Sequence, residues 1–235
     1  SYSVEEKVKK QDTNILGTIT LLKAAKNNKT KKLIFSSSSS VYGGAANLPT
    51  DESNPPNPKS PYALQKYTSE LACKMFSDLH GMDTVVLRYF NVFGPGQYGD
   101  SPYATVIAGW LESLYSSDKK NVFIEGDGKQ SRDFSYVDNV VDANILAMES
   151  DKKFSGDILN IANGERIDLL RTKYLIEEQT GKKLNLEQRP ERLGDVKHSH
   201  ADISKAKTML GFAPIIDFAE GLKRTIAWHR QRFGK

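Results

Sequence analysis

The sequence predicts an α/β protein built on a parallel sheet with helices on its faces, and three observations carry that expectation. A short apolar run, KLIFS at 32–36, reads as a buried strand, and a second β-rich run, TVVLRYF, follows at 84–90. Between them lies a long helical segment that starts at Ser60-Pro61. Strand, crossover helix, strand is the unit that joins parallel neighbours, because such strands need a connection of a dozen residues or more.

Taken in order, residues 3–28 predict a helix, with Ile15, Ile19 and Leu22 at i, i+4, i+7 spacing and Asn27-Asn28 near its end. After the first strand, residues 43–60 carry four prolines, two glycines and three asparagines without periodicity, which is a loop. Ser60-Pro61 is a helix start: serine caps the orphan N–H groups, and proline has no N–H to lose in the first turn. Leu64, Leu71, Met75 and Leu79 continue that helix to His80-Gly81. Beyond FGPGQYGD the units are smaller: a helix over 102–117, a strand at VFIEG, a helix over 136–149, and a strand at DILNIAN. A helix over 167–180, a strand at KLNLEQ, and helices over 202–210 and 217–232 complete the order.

Composition narrows the function. With 235 residues, 38% hydrophobic, ten Tyr and ten Phe, the chain has material for one large core or two small ones. No stretch approaches the roughly 20 apolar residues of a membrane span, and SYSVEEKVKK has no apolar signal region, so a soluble cytoplasmic protein is expected. The single Cys73 excludes an intramolecular disulfide or a cysteine-rich zinc site and reads as a packing residue. A net charge of +4 suits a small anionic ligand, but the basic residues are scattered among the acids, so no nucleic acid is expected. His80, His198, His200 and His229 form no ligand pattern, so no metal is expected either.

The chemistry-bearing pattern is Tyr62 and Lys66, four apart on one helix face. A phenol ordinarily near pKa 10 becomes a usable base near neutrality only when a nearby cation favours its anion. Alone, Y-x-x-x-K also fits an amphipathic surface pair. The five serines of FSSSSSVYG, some 24 residues upstream and directly after a strand, add hydroxyls where a parallel sheet would bring them to the start of the Tyr/Lys helix.

NILGT (14–18), LIFSSSSSVYG (33–43), SPYALQK (60–66), LRYFNVFGPGQ (87–97), SRDFSYVDN (131–139) and GDVKHSHADISKAK (194–207) resemble, in order, the extended short-chain dehydrogenase/reductases that act on nucleotide sugars. The nearest resemblance is to the UDP-hexose 4-epimerases, above all those of UDP-N-acetylglucosamine and UDP-N-acetylgalactosamine. It implies a Rossmann-like doubly wound parallel sheet with a smaller α/β substrate-binding C-terminal domain. Residues 1–95 would be the C-terminal half of the NAD-binding domain and 96–235 mainly the nucleotide-sugar domain, with about 136–162 packing back on the sheet. The family's G-x-x-G-x-x-G turn, which cradles the NAD pyrophosphate, occurs nowhere in the sequence. The resemblance therefore starts about one hundred residues into the family's fold, as in a fragment or a sequence given without its N-terminal portion.

By the same resemblance, Tyr62 is the base and then acid at the sugar C4 hydroxyl, Lys66 lowers its pKa and binds the nicotinamide ribose, and Ser38 hydrogen-bonds the reacting oxygen. Asn14, Ser36 and Phe90 would join Tyr62 and Lys66 at the cofactor. Ser39 and Ser40 would line the sugar pocket, and Asn91 the diphosphate. Arg132 and Arg192 match the diphosphate-holding arginines, whose fixed fork suits phosphate oxygens. Asp195 matches the ribose-binding acid and Phe123 the strand beside uracil, while Thr105 and Val106 fall in the substrate-binding set. Ser199 stands where relatives restricted to non-acetylated sugars often carry tyrosine, so the larger N-acetyl group should fit. A homodimer through helices 3–28 and 61–80 is implied as well.

Further readings of two kinds, other enzymes and a non-enzyme, remain open here. A nucleotide-sugar 4,6-dehydratase uses the same Tyr and Lys but needs an acid beside the hydroxyl, which FSSSSSVYG lacks; a UDP-glucuronate epimerase is a neighbouring alternative. The other is a truncated homologue without catalysis.

Overall fold

A computed structural model describes residues 12–45, 47–99, 105–117, 121–191 and 196–234. A π-helical turn, Asp12–Leu16, runs into α1 (Gly17–Asn27), followed by β1 (Leu33–Ser38), α2 (Pro61–His80) and β2 (Thr84–Tyr89). The expected helix before Asp12 lies outside the described residues. Strand β1 runs two residues past its expected end at Ser36, taking in Ser37 and Ser38 as well. Serine is a poor strand former, yet these three pair in register with Leu87, Arg88 and Tyr89 of β2, and the ladder overrides the propensity. A 3-10 turn, Ser39–Tyr42, takes up the rest of the serine run and closes at Gly43 with φ 61°. A side chain at Gly43 would drive into the Asn57 carbonyl, 1.8 Å from its Cβ, so glycine is required there.

Short strands β3 (Val92–Phe93), β5 (Ser131–Arg132), β6 (Ser135–Tyr136) and β8 (Ile167–Asp168) were not among the expected elements. Around them stand α3 (Val106–Tyr115), β4 (Val122–Glu125), α4 (Val137–Glu149), β7 (Asp157–Ile161), α5 (Leu169–Thr180), β9 (Leu186–Arg189), α6 (Ser204–Leu210) and α7 (Phe218–Arg232). The expected helix over 102–117 is described from Val106, and the last strand is shifted to end at Arg189.

Strands β1, β2 and β7 form a parallel sheet in the order β1-β2-β7, so residues 157–161 pack beside 84–89. Central β2 is buried on both sides, with Val85, Val86 and Leu87 at 0% exposure. Burial of such side chains is worth about 1.5–3 kcal/mol each. Helices α1 and α2 cover one face through Leu22, Ala72, Cys73 and Phe76. On the other, α4 and α6 pack through Val140, Ala143, Ala147 and Leu210. A separate core of Phe93, Trp110, Phe134, Ile176, Phe218 and Leu222 holds the C-terminal elements together. It includes the parallel pairs β3-β6 and β4-β9 at its margins.

Helix α2 begins and ends as its sequence dictates. Ser60 Oγ accepts from the Ala63 N–H at 3.2 Å, Pro61 opens the first turn, and Gly81 closes the helix at φ 65°. The apolar series that marks the helix in the sequence faces outward: Leu64, Leu71, Met75 and Leu79 are exposed, the last at 69%. The sheet side carries Ala63, Ser69, Glu70, Ala72, Cys73 and Phe76 instead, because close approach to β1 and β2 favours small residues and a buried ion pair there.

Candidate active site

Tyr62 and Lys66 project from the first turns of α2 towards the C-terminal end of β1. Lys66 Nζ donates to the Ser36 carbonyl at 2.7 Å and lies 5.8 Å from the Tyr62 ring centroid. Burial lowers the Lys66 pKa, and the charge of Glu70, one turn further along the helix, opposes that shift. Among the described residues no second acceptor holds the Lys66 ammonium, which leaves protons for a ligand diol.

The serine run separates into distinct places. Ser36 is exposed on β1, where its hydroxyl meets the Tyr89 phenol at 3.0 Å, and that phenol donates to Asn144 Oδ1 at 2.9 Å. Ser37 turns inward, buried, and donates to Glu70 Oε1. Ser38 ends the strand and its Oγ accepts from the Ser40 N–H at 3.2 Å. Ser40 Oγ is buried without a hydrogen-bond partner among the described residues, in the turn that lines the cavity.

Ser38, Ser39, Ser40, Tyr62, Phe90 and Asn91 share the wall of a cavity of about 520 Å³ with Thr105, Arg132, His198 and Ser199. A second cavity of about 470 Å³ also touches Asn91, Thr105 and Arg132, and adds Val106 and Phe123. The two are lobes of one cleft, with Arg132 at the neck. Arg132 Nη1 is braced on the Ser131 and Lys197 carbonyls at 3.1 and 3.2 Å. Phe123, in the wall of the second lobe, carries the Arg189 guanidinium 3.9 Å from its ring centroid, and Arg189, outside that wall, pairs with Glu187 at 3.0 Å.

Asn14 stands behind the site: its Nδ2 donates to Gln65 Oε1 at 2.7 Å, and its carbonyl accepts from Ser69. Asn91 adopts φ 27°, a conformation asparagine tolerates better than most residues. It reaches Ser199 Oγ at 3.4 Å, linking the end of β2 to the segment at 196–202. Thr105 Oγ1 donates to Gln97 Oε1 at 2.7 Å, so its hydroxyl is engaged in the wall. Arg192 and Asp195 lie outside the described residues.

Several structural groups of the site escaped sequence reasoning. Glu70 and Arg88 form a buried ion pair beneath the serines, and Tyr42 stacks on Arg88 with 4.5 Å from guanidinium carbon to ring centroid. Asn160, at the end of β7, accepts from Tyr42 and donates to the Thr50 and Asp202 carbonyls. Asp133, next to Arg132, accepts from the Asn163 and Ala201 amides at 3.0 and 3.1 Å. Burial pushes its carboxyl up to about 6 against those amides. His198 does more than fill space, since its Nδ1 meets Ser131 Oγ at 2.8 Å in the cavity wall. Among the described residues no cluster fits a metal ion. Cys73 is buried, with its thiol pushed up to about 12 by burial and by Glu70, which suits packing rather than chemistry.

Known proteins share this chain's sequence and fold. The profile of the NAD dependent epimerase/dehydratase family matches residues 1–162. A UDP-N-acetylglucosamine 4-epimerase from Methanobrevibacter ruminantium M1, solved with UDP-N-acetylmuramic acid, is 42% identical with a TM-score of 0.90 over 98% of this chain and 73% of its own. The UDP-glucose 4-epimerase of Thermotoga maritima, solved with UDP-glucose, is 38% identical with a TM-score of 0.90, again over 98% and 73%. A UDP-glucuronate 4-epimerase of Thermodesulfobacterium geofontis is 36% identical over 221 residues, 94% of this chain and 66% of that protein. The chain thus spans between 66% and 73% of the length of these three proteins.

Proposed function

The chain belongs to the NAD dependent epimerase/dehydratase family, and on that premise we propose that the whole protein is a UDP-hexose 4-epimerase acting on neutral sugars, including the N-acetylated pair UDP-GlcNAc and UDP-GalNAc. The observation that carries this reading is the convergence of Ser38, Tyr62 and the Lys66-supported helix start on a cavity whose described walls hold no carboxylate.

In this reading Tyr62 takes the proton from the sugar C4 hydroxyl, with the Lys66 ammonium favouring the phenolate, and Ser38 holds the C4 oxygen. Bound NAD supplies the acceptor and donor of the C4 hydride. The residues present fit the ribose end of that cofactor: Lys66 has donors to spare for a diol, and Ser36 and Tyr62 stand beside it. Asn14 and Phe90 complete that side, Phe90 as a wall and Asn14 by holding Gln65 within α2. After oxidation the 4-keto sugar must offer its other face to receive the hydride, and Tyr62 returns the proton. Arg132, with Asn91, secures the diphosphate at the neck, a task the family resemblance also gives to Arg192, and this leaves the sugar as the part that turns. Phe123 and Asp195 serve the uridine, with Val106 and Thr105 in the wall between. Residues 1–95 and about 136–162 then form the NAD-binding domain, with α6 packed on the same sheet, and 96–235 otherwise mainly binds the nucleotide sugar.

Two features favour neutral sugars over the alternatives. Among the described residues of the first lobe Arg132 is the one Lys or Arg, and it belongs to the neck, so the described wall offers no further Lys or Arg to a uronate carboxylate. The absence of Asp and Glu from that described wall deprives a 4,6-dehydratase of its elimination acid. Ser199 leaves room beside the sugar for an acetamido group. We assign dimer formation to α1 and α2, where Leu21, Leu64, Leu71, Met75 and Leu79 lie exposed at 45% or more. Among the described residues no helix is long and apolar enough to cross a membrane.

Proton NMR of the sugar anomeric region tests the assignment. The whole protein, with no added cofactor, is expected to interconvert UDP-GlcNAc with UDP-GalNAc and UDP-Glc with UDP-Gal. Unchanged spectra for both pairs would overturn it.

A further inference from the structure

Glu70 and Arg88 are each 1% exposed. A buried pair of this kind seldom stabilises a fold more than apolar residues would, so its contacts indicate its use. Glu70 Oε1 accepts from Arg88 Nε at 2.9 Å and from Ser37 Oγ, while Oε2 accepts from Arg88 Nη2 at 2.6 Å. One carboxylate thus joins α2, β1 and β2, and the Arg88 guanidinium carries the connection to the Tyr42 ring in the turn after the serines. Ser37 lies between Ser36, whose carbonyl receives Lys66, and Ser38 at the strand end. Glu70 is also one helical turn from Lys66 and two from Tyr62, on the same face of α2.

We propose that Glu70, locked by Arg88, is the positioning residue of the Ser38–Tyr62–Lys66 site: it pins the middle serine of the strand end and balances the Lys66 charge. The inference rests on the epimerase reading for its kinetic consequence and on geometry alone for its electrostatic one. Lys66 is faced by Tyr62 and Glu70 from its own helix and by Phe35 and the Ser36 carbonyl from β1. From β2, Tyr89 reaches it only through Ser36, and Arg88 is occupied by Glu70. Asn14 of the preceding turn is neutral and bonded to Gln65. Glu70 is therefore the carboxylate whose charge acts on the ammonium.

Two variants separate the roles. Glu70→Gln removes the charge and keeps the shape; if the stranded Arg88 prevents folding, the double variant E70Q/R88M carries the same measurement. Labelling of Lys66 by an amine reagent, followed by peptide mass spectrometry across pH, should show a midpoint lower by about one unit, or about tenfold faster labelling at a fixed pH below it. Ser37→Ala leaves the charge in place, so labelling should be unchanged while kcat falls about tenfold, the equivalent of about 1.4 kcal/mol in the barrier, with KM within about twofold. A melting temperature close to wild type accompanies that expectation. Unchanged Lys66 labelling in the folded Glu70 variant, or unchanged kcat in Ser37→Ala, overturns the proposal. A wild-type protein that epimerises nothing but whose Lys66 labelling still depends on Glu70 would refute the functional reading and support the electrostatic role.

Discussion

Replacing His229 by leucine should make the fold more tolerant of acid. His229 is 0% exposed, neither ring nitrogen has a hydrogen-bond partner, and it packs between Trp228, 4.8 Å away edge-on, and Phe233, stacked at 6.3 Å. Burial lowers its pKa from an ordinary 6.5 to about 4, with nearby Glu112 opposing and Arg232 adding to the shift. The unfolded chain takes up a proton that the folded chain refuses, so stability is complete above pH 6.5 and is lost as pH falls towards 4. At about 1.4 kcal/mol per unit, the loss comes to about 3 kcal/mol. Asp133 works in the opposite sense: burial raises its folded pKa from 3.8 to about 6, so stability missing at neutral pH returns as pH falls through that window. The wild-type profile between these values is consequently shallow, and only a difference reveals His229. Urea unfolding of wild type and His229→Leu at about pH 7 and about pH 4 supplies it, because any fixed packing cost of the substitution cancels between the two conditions. The stability difference between the two proteins should move by about 3 kcal/mol in favour of the variant at the lower pH. A difference that stays constant refutes the buried, neutral histidine.

Asp133→Asn should do the reverse, leaving the protein more acid-sensitive than wild type in the same unfolding series. Tyr62→Phe is expected to abolish epimerisation while UDP binding, measured by calorimetry, persists; equal loss of both would make Tyr62 structural. Leu71→Glu places a charge in the exposed stripe of α2 and should convert the dimer to monomer by light scattering, with an unchanged mass excluding that face as the interface. Ser199→Tyr should depress turnover of the N-acetylated pair at least about tenfold more than that of the hexose pair, and equal effects on both would remove Ser199 from sugar selection.

Local chemistry was legible in the sequence and long-range pairing was not. The Ser60-Pro61 cap and the Tyr62/Lys66 spacing depend on neighbours within one helical turn, and both are found as expected. Glu70 and Arg88 meet across 18 positions, and Glu70 four residues after a lysine reads from sequence as a solvated helix pair. Only the packing of α2 on the sheet buries it. Periodicity likewise marked Leu64, Leu71, Met75 and Leu79 as one face without saying which side it meets, and that side is outward. Two-residue strands such as β5 and β8 are too short to carry any alternation, although they set Arg132 at the neck of the cleft. The serine run shows the same limit: serine is a poor strand former, yet three of the five serines are strand because β2 supplies the ladder. Asp133, one residue from Arg132, had no local signal at all, since its partners are the amides of Asn163 and Ala201.

The central claim is that C4 of a UDP-sugar is inverted by removal and return of the same hydrogen, with Tyr62 handling only the proton. UDP-GlcNAc carrying deuterium at C4, converted by the whole protein in ordinary water and followed by NMR and mass spectrometry, tests it directly. The account predicts UDP-GalNAc that retains deuterium at C4, with no conversion by Tyr62→Phe. Product that has exchanged the C4 label for solvent hydrogen, or conversion that survives the loss of the Tyr62 hydroxyl, would contradict it.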